Sequence, residues 1–111
     1  MTSKQINTQL NWKLQREHES FKNWLMHQVP SVIIDNAYKY AMMEEVLMAF
    51  ENNSLPDELA KALLKGKDHL KKITDRCQKG GNRCMNSMWE EVQEYAMEMA
   101  EKQARIKERG R

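Results

Sequence analysis

Cys77 and Cys84, with His69 upstream, are side chains of the kind zinc selects, and they lie within one stretch of this chain. The C-x6-C spacing across Gly80-Gly81 is wider than the usual two-to-four-residue knuckle, and three ligands leave a tetrahedral site one short. The cysteines therefore read as core residues or free thiols, with a reversible disulfide across the loop as the lesser alternative. His18 and His27 stand apart from any Ser, Cys or carboxylate in a nucleophile setting, so they read as residues of partly exposed helix faces. Glu44-Glu45 sits inside the most apolar segment, where a buried carboxylate must find a basic partner or lose its charge. An ion pair with a Lys or Arg from a neighbouring helix is expected. Lys61, Lys65, Lys67, Lys71, Lys72, Arg76, Lys79 and Arg83 form a dense basic region that could hold phosphates by counterion release. No aromatic residue is interleaved to stack bases, and Gly80-Gly81 lacks the Walker lysine pattern. The residues point to a protein without enzymatic chemistry, metal or cofactor.

The chain has 111 residues, enough for one domain with one modest core. Charged residues make up 31% and hydrophobic residues 41%, so the mean hydropathy of −0.85 reflects charged helix faces on a chain that can still build a core. A net charge of +2 is too mild to name a partner, but it is unevenly spread. Residues 31–53 hold four acidic residues and one basic, whereas residues 54–81 hold seven basic and four acidic. Two cysteines do not make a disulfide scaffold, residues 2–11 lack the apolar core of a signal peptide, and Asp35, Lys39, Glu44 and Glu45 interrupt the longest apolar run. A cytoplasmic protein with no membrane segment is expected.

Glycine and proline are few, and apolar residues recur at helical spacing throughout, which predicts an all-α fold. Ile6, Leu10, Leu14, Phe21 and Leu25 draw one seam on a helix over about 3–28, ended by Pro30. Trp12 and Trp24 lie beside that seam and are expected to widen the buried face. Residues 32–50 are apolar around most of the helix, so they are expected to form its enclosed centre, with the chain wrapped over Ile34, Tyr38, Ala41 and Met48. Ser54 and Pro56 signal a short helix over 55–65, closed by Gly66, and Asp68 can cap another that runs to Gly80-Gly81. Met85, Trp89, Val92, Ala96, Met99, Gln103 and Ile106 then alternate steps of four and three on a last helix of about 25 residues. The expected architecture is a single domain over 1–111, a compact bundle of about five helices with a long C-terminal helix and residues 100–111 as a basic end or tail. That end is too long for the core to cover, so residues from about Met99 onward are expected to project. Nine methionines read mainly as core filler.

Ala37-Tyr38-Lys39-Tyr40, Glu44-Glu45-Val46-Leu47-Met48 and Leu55-Pro56-Asp57-Glu58-Leu59-Ala60-Lys61-Ala62-Leu63-Leu64 together resemble a family of small proteins of unknown function encoded on integrative and conjugative elements of Gram-positive bacteria. The motifs are A-Y-x-Y, E-[ED]-[IV]-L-M and L-x-x-E-x-A-x-A-L-L, and Leu70, Met85 and Trp89 fit later positions. The resemblance spans roughly residues 20–97. Glu45 stands where the family has Asp, Leu59 replaces a glutamine, and the cysteine pair and the tail after Lys102 have no counterpart. What the resemblance implies is a genetic setting, in which small non-enzymatic proteins bind host or defence proteins, anti-CRISPR inhibitors of CRISPR nucleases among them. The expected function is a protein-binding module. The alternative is a nucleic-acid-binding accessory protein using the basic region 61–83. Expected contact residues are Lys71, Lys72, Arg76, Lys79, Arg83, Lys102, Arg105, Ile106 and Arg109, and the C-terminal helix could also pair two copies as a homodimer.

Overall fold

Thr2 opens the first helix with a capping box: its hydroxyl accepts from Gln5 N–H at 3.2 Å, and the Gln5 side chain accepts from Thr2 N–H at 2.9 Å. The computed structural model describes residues 2–80 and 85–109, with side chains over 2–79 and 88–106. It contains five helices, α1 (Ser3–Met26), α2 (Pro30–Asn52), α3 (Asp57–Leu64), α4 (His69–Gly80) and α5 (Met85–Arg109), and no strand among the described residues. Pro30 does not lie in the turn before α2. It is that helix's first residue, where its missing N–H costs nothing.

The predicted seam of α1 is buried at Ile6, Leu10, Leu14 and Leu25, with Phe21 packed at its edge. Ile6, Leu10 and Leu14 share one continuous core with Val46 and Ala49 of α2, Leu63 of α3, Leu70 and Ile73 of α4, and Val92 and Ala96 of α5. Burying each of the larger side chains is worth about 1.5–3 kcal/mol. Trp89 stands edge-on against Phe50 with ring centroids 5.4 Å apart, which pins the start of α5 to the end of α2.

The expected enclosure of α2 holds for one half of it. Met42, Met43, Val46, Ala49 and Phe50 are buried, whereas Ile34 is 72% exposed, Tyr38 61% and Met48 49%, and Ala41 is also open to solvent. Helix lengths give the reason. Twenty-three residues of α2 span about 35 Å, while the 8 and 12 residues of α3 and α4 span about 12 and 18 Å, too little to wrap it along its length. The first turns of α2 project together with the end of α1. The molecule is accordingly drawn out to 49 × 30 × 27 Å, with a Cα radius of gyration of 14.8 Å against about 13 Å for a compact chain of this size. Trp12 and Trp24 lie on exposed surface as well, so neither widens the core. Glu44 and Glu45 face solvent and need no buried partner.

The α3–α4 corner is built from α1. Lys13 Nζ donates to the carbonyls of Leu63 (3.2 Å), Leu64 (2.6 Å) and Gly66 (2.7 Å), placing a cation on the negative end of α3. One turn on, Glu17 Oε2 accepts from Leu70 N–H at 2.9 Å at the positive end of α4. Burial, partly offset by the neighbouring Glu17 carboxylate, sets the Lys13 pKa below its ordinary value. Gly66 has φ +84°, as the chain reversal after α3 requires, and a Cβ there would stand 3.0 Å from His69 Nε2. Asp68 occupies the cap position of α4 in the left-handed region (φ 61°), its carbonyl receiving Lys72 N–H, but it is Glu17 that takes Leu70 N–H. Pro56, not Ser54, holds the cap position of α3, with Asp57 and Glu58 in the first turn.

Candidate protein-binding surface

His69 and Cys77 are committed to the fold. His69 is buried; its Nε2–H donates to the Lys65 carbonyl, which can only accept, and its Nδ1 therefore accepts from Tyr95 Oη at 2.7 Å. Both ring nitrogens are used. Cys77 is fully buried, and burial first, then the charge of Glu91, pushes its thiol up to about 11, away from nucleophilic or ligand chemistry. Cys84 lies outside the described residues, and among those described no group of three metal-ligating side chains comes together. His18 packs at a tilt of 33° against Tyr40, with ring centroids 4.7 Å apart. The Tyr40 hydroxyl has its pKa raised by burial and then by Glu44 beside it.

The basic residues divide. Arg76 is drawn into a cluster with Glu91 (3.2 Å), Glu94 (3.7 Å) and Glu98, and its guanidinium lies 5.9 Å from the centre of the Tyr95 ring, so it ties α4 to α5. Burial, with smaller contributions from Glu17 and Glu98, pushes the Tyr95 phenol up to about 12. Lys71, Lys72 and Lys79 extend from the exposed side of α4, and Lys102, Arg105 and Ile106 are exposed on α5. Arg83 and the side chain of Arg109 lie outside the described residues. The projecting end of α5 starts later than expected: Met99 packs against the core and Gln103 donates to the Ala62 carbonyl at 2.9 Å, and beyond it Ala104, Arg105 and Ile106 are exposed.

What the fold leaves unsatisfied is an apolar surface on the α1–α2 hairpin. Trp24, Met26, Val29, Ile34 and Tyr38 are exposed around its projecting end, and Lys22, Leu25, Met26, Ile33 and Tyr40 line a groove between the two helices. Trp24 is held in place by stacking on Phe21 at 5.8 Å. Single exposed apolar residues need no explanation, but a cluster of this kind on one feature is a mark of interaction sites. The sequence signal for it is the all-round apolarity of residues 32–50, which by itself predicts enclosure.

Three structural residues carried little signal. Asn7 exchanges hydrogen bonds with the Leu55 backbone at 2.9 and 3.1 Å and so locks the segment before α3 onto α1. Its position beside Ile6 on a seam was the available hint. Lys13 and Glu17, four residues apart, resemble an ordinary solvent-facing pair.

No helix among the described residues is long and apolar enough to cross a membrane. Neither the curated proteins nor the solved structures provide a match to this chain. The family model described as Protein of unknown function (DUF3848) matches residues 6–100, which takes in nearly all of α1, all of α2 to α4, and α5 as far as Ala100. The chain therefore belongs to the DUF3848 family of proteins of unknown function.

Proposed function

We propose that this protein is a non-enzymatic protein-binding module that docks through the projecting end of the α1–α2 hairpin. The observation that carries the reading is the exposure there of Trp24, Met26, Val29, Ile34 and Tyr38. Aromatic and long aliphatic anchors on a rigid helical feature are the groups that dominate binding energy at protein interfaces. The mobile-element setting implied by the sequence resemblance makes a host defence effector, a CRISPR nuclease in particular, the first partner to test, with inhibition as the outcome. A second reading, binding of nucleic acid, is favoured by the exposed Lys71, Lys72 and Lys79 on α4 and weakened by the engagement of Arg76 with three glutamates.

Affinity capture from a bacterial host, with and without nuclease treatment, separates the two. The wild type is compared with Trp24→Ser/Ile34→Ser and with Lys71→Glu/Lys72→Glu/Lys79→Glu. A partner that survives nuclease and is lost with the hairpin variant supports the first reading. One that disappears with nuclease and with the lysine variant overturns it in favour of the second.

A further inference from the structure

We propose that a second copy of this chain lays the basic end of its α5 along the outer face of α2. On that face Tyr38, Ala41, Glu45 and Met48 follow steps of three, four and three, the spacing of a two-helix seam, and all four are exposed. The seam is about 15 Å long at 1.5 Å per residue. Its charges have one sign: Asp35, Glu44, Glu45 and Glu51 are exposed, and the single cation of α2, Lys39, is held by Asp75 at 3.1 Å. Two such faces repel each other, so α2 does not pair with α2. The occupant must be apolar in the middle and basic at its edges.

The chain itself carries that complement. Lys102, Arg105 and Ile106 stand at i, i+3 and i+4, which puts them on one side of α5, and the sequence of residues 102–111 holds five basic residues and one acidic. Lys102 and Arg105 are exposed, and Ile106 is 70% exposed. Within one molecule the two surfaces stay apart. Neither surface covers the other: Tyr38, Ala41, Glu45, Met48, Lys102, Arg105 and Ile106 are all exposed, and Gln103 holds its own turn of α5 to Ala62 of α3. The contact therefore forms between copies, either reciprocally in a closed dimer or head to tail in a longer assembly. It covers Tyr38 but leaves Trp24, Met26 and Ile34 at the hairpin end open, so it rests on a different observation from the function proposed above.

The test is sedimentation velocity of the full chain over a concentration series, at low salt and at about 1 M salt, where the Debye length falls to about 3 Å. The wild type should gain mass with concentration at low salt and lose that gain at high salt. Glu44→Lys/Glu45→Lys and Lys102→Glu/Arg105→Glu should each weaken association on the order of a hundredfold, because both place like charges face to face. Mixing the two variants should restore it, since every contact between them is then between opposite charges. All four positions are exposed, and circular dichroism checks that each variant is folded. A wild type that stays monomeric throughout, association indifferent to either reversal, or a mixture that fails to associate would each overturn the proposal.

Discussion

Replacing Lys13 by Met isolates the corner on which α3 and α4 meet. Methionine keeps the length and apolar stem of the side chain while removing the ammonium that donates to Leu63, Leu64 and Gly66. Hydrogen bonds to a charged group contribute about 1.5–3 kcal/mol each when buried. The Gly66 carbonyl is exposed and regains water, whereas the bonds to Leu63 and Leu64 are partly buried and regain less. The lost favourable charge at the C-terminal end of α3 adds about 0.3–1 kcal/mol, and release from the cost of burying the ammonium subtracts a similar amount. The net expectation is a loss of about 2–3 kcal/mol, a large part of the roughly 5–15 kcal/mol that holds a domain of this kind. Urea unfolding followed by circular dichroism should show a lower midpoint with an unchanged slope. The melting temperature should fall by about 8–12 °C. A loss under about 0.5 kcal/mol would refute the view that α1 stabilises the corner through this side chain.

Gly66→Ala should cost about 1–2 kcal/mol, because the new methyl meets His69 Nε2 at 3.0 Å on a backbone with φ +84°; a chemical melt checks it. Alkaline pH should destabilise the protein. The native state keeps protons on Cys77 up to about 11 and on Tyr95 up to about 12, whereas the unfolded chain releases them near 9.0 and 10.0, so stability falls as pH rises from about 9 to about 12. Cys77→Ala should flatten the part of that slope between about pH 9 and 11 in melts taken across the range. Ile34→Glu should leave stability within about 0.5 kcal/mol of wild type, the opposite of what enclosure of α2 would demand, and thermal unfolding decides.

Periodicity made much of this fold legible. Ile6, Leu10, Leu14 and Leu25 on α1 and Val92, Ala96 and Met99 on α5 sit where their spacing placed them, and Gly66 adopts the left-handed conformation that its position after Leu64 suggested. The candidate surface is not legible in the sequence, for a physical reason. An all-round apolar helix shows that something apolar lies on each side, but whether the cover is the same chain or another molecule depends on the lengths of α3 and α4, which no pattern within residues 32–50 contains. Long-range polar contacts were illegible for a related reason. Asn7, Lys13 and Glu17 find their partners 48–53 residues away, and nothing local marks which lysine or glutamate of a charged face will turn inward. Arg76 shows the same limit in reverse: counted within a basic run it looks available, and only the fold reveals Glu91, Glu94 and Glu98 around it.

The dependence of the corner on α1 bears on how the chain is made. Asn7, Lys13 and Glu17 leave the ribosome ahead of their partners at Leu55, Leu63, Leu64, Gly66 and Leu70, which follow some fifty residues later. At about 5–20 residues per second that interval is about 3–10 s. Until it closes, the seam of Ile6, Leu10 and Leu14 has at most α2, complete only at Asn52, to cover it, because α3, α4 and α5 complete the same core. The nascent protein thus passes through a helical hairpin whose inner face is open to any chaperone waiting at the tunnel mouth, and closure comes only when the corner around Gly66 has emerged to take the hand that α1 holds out.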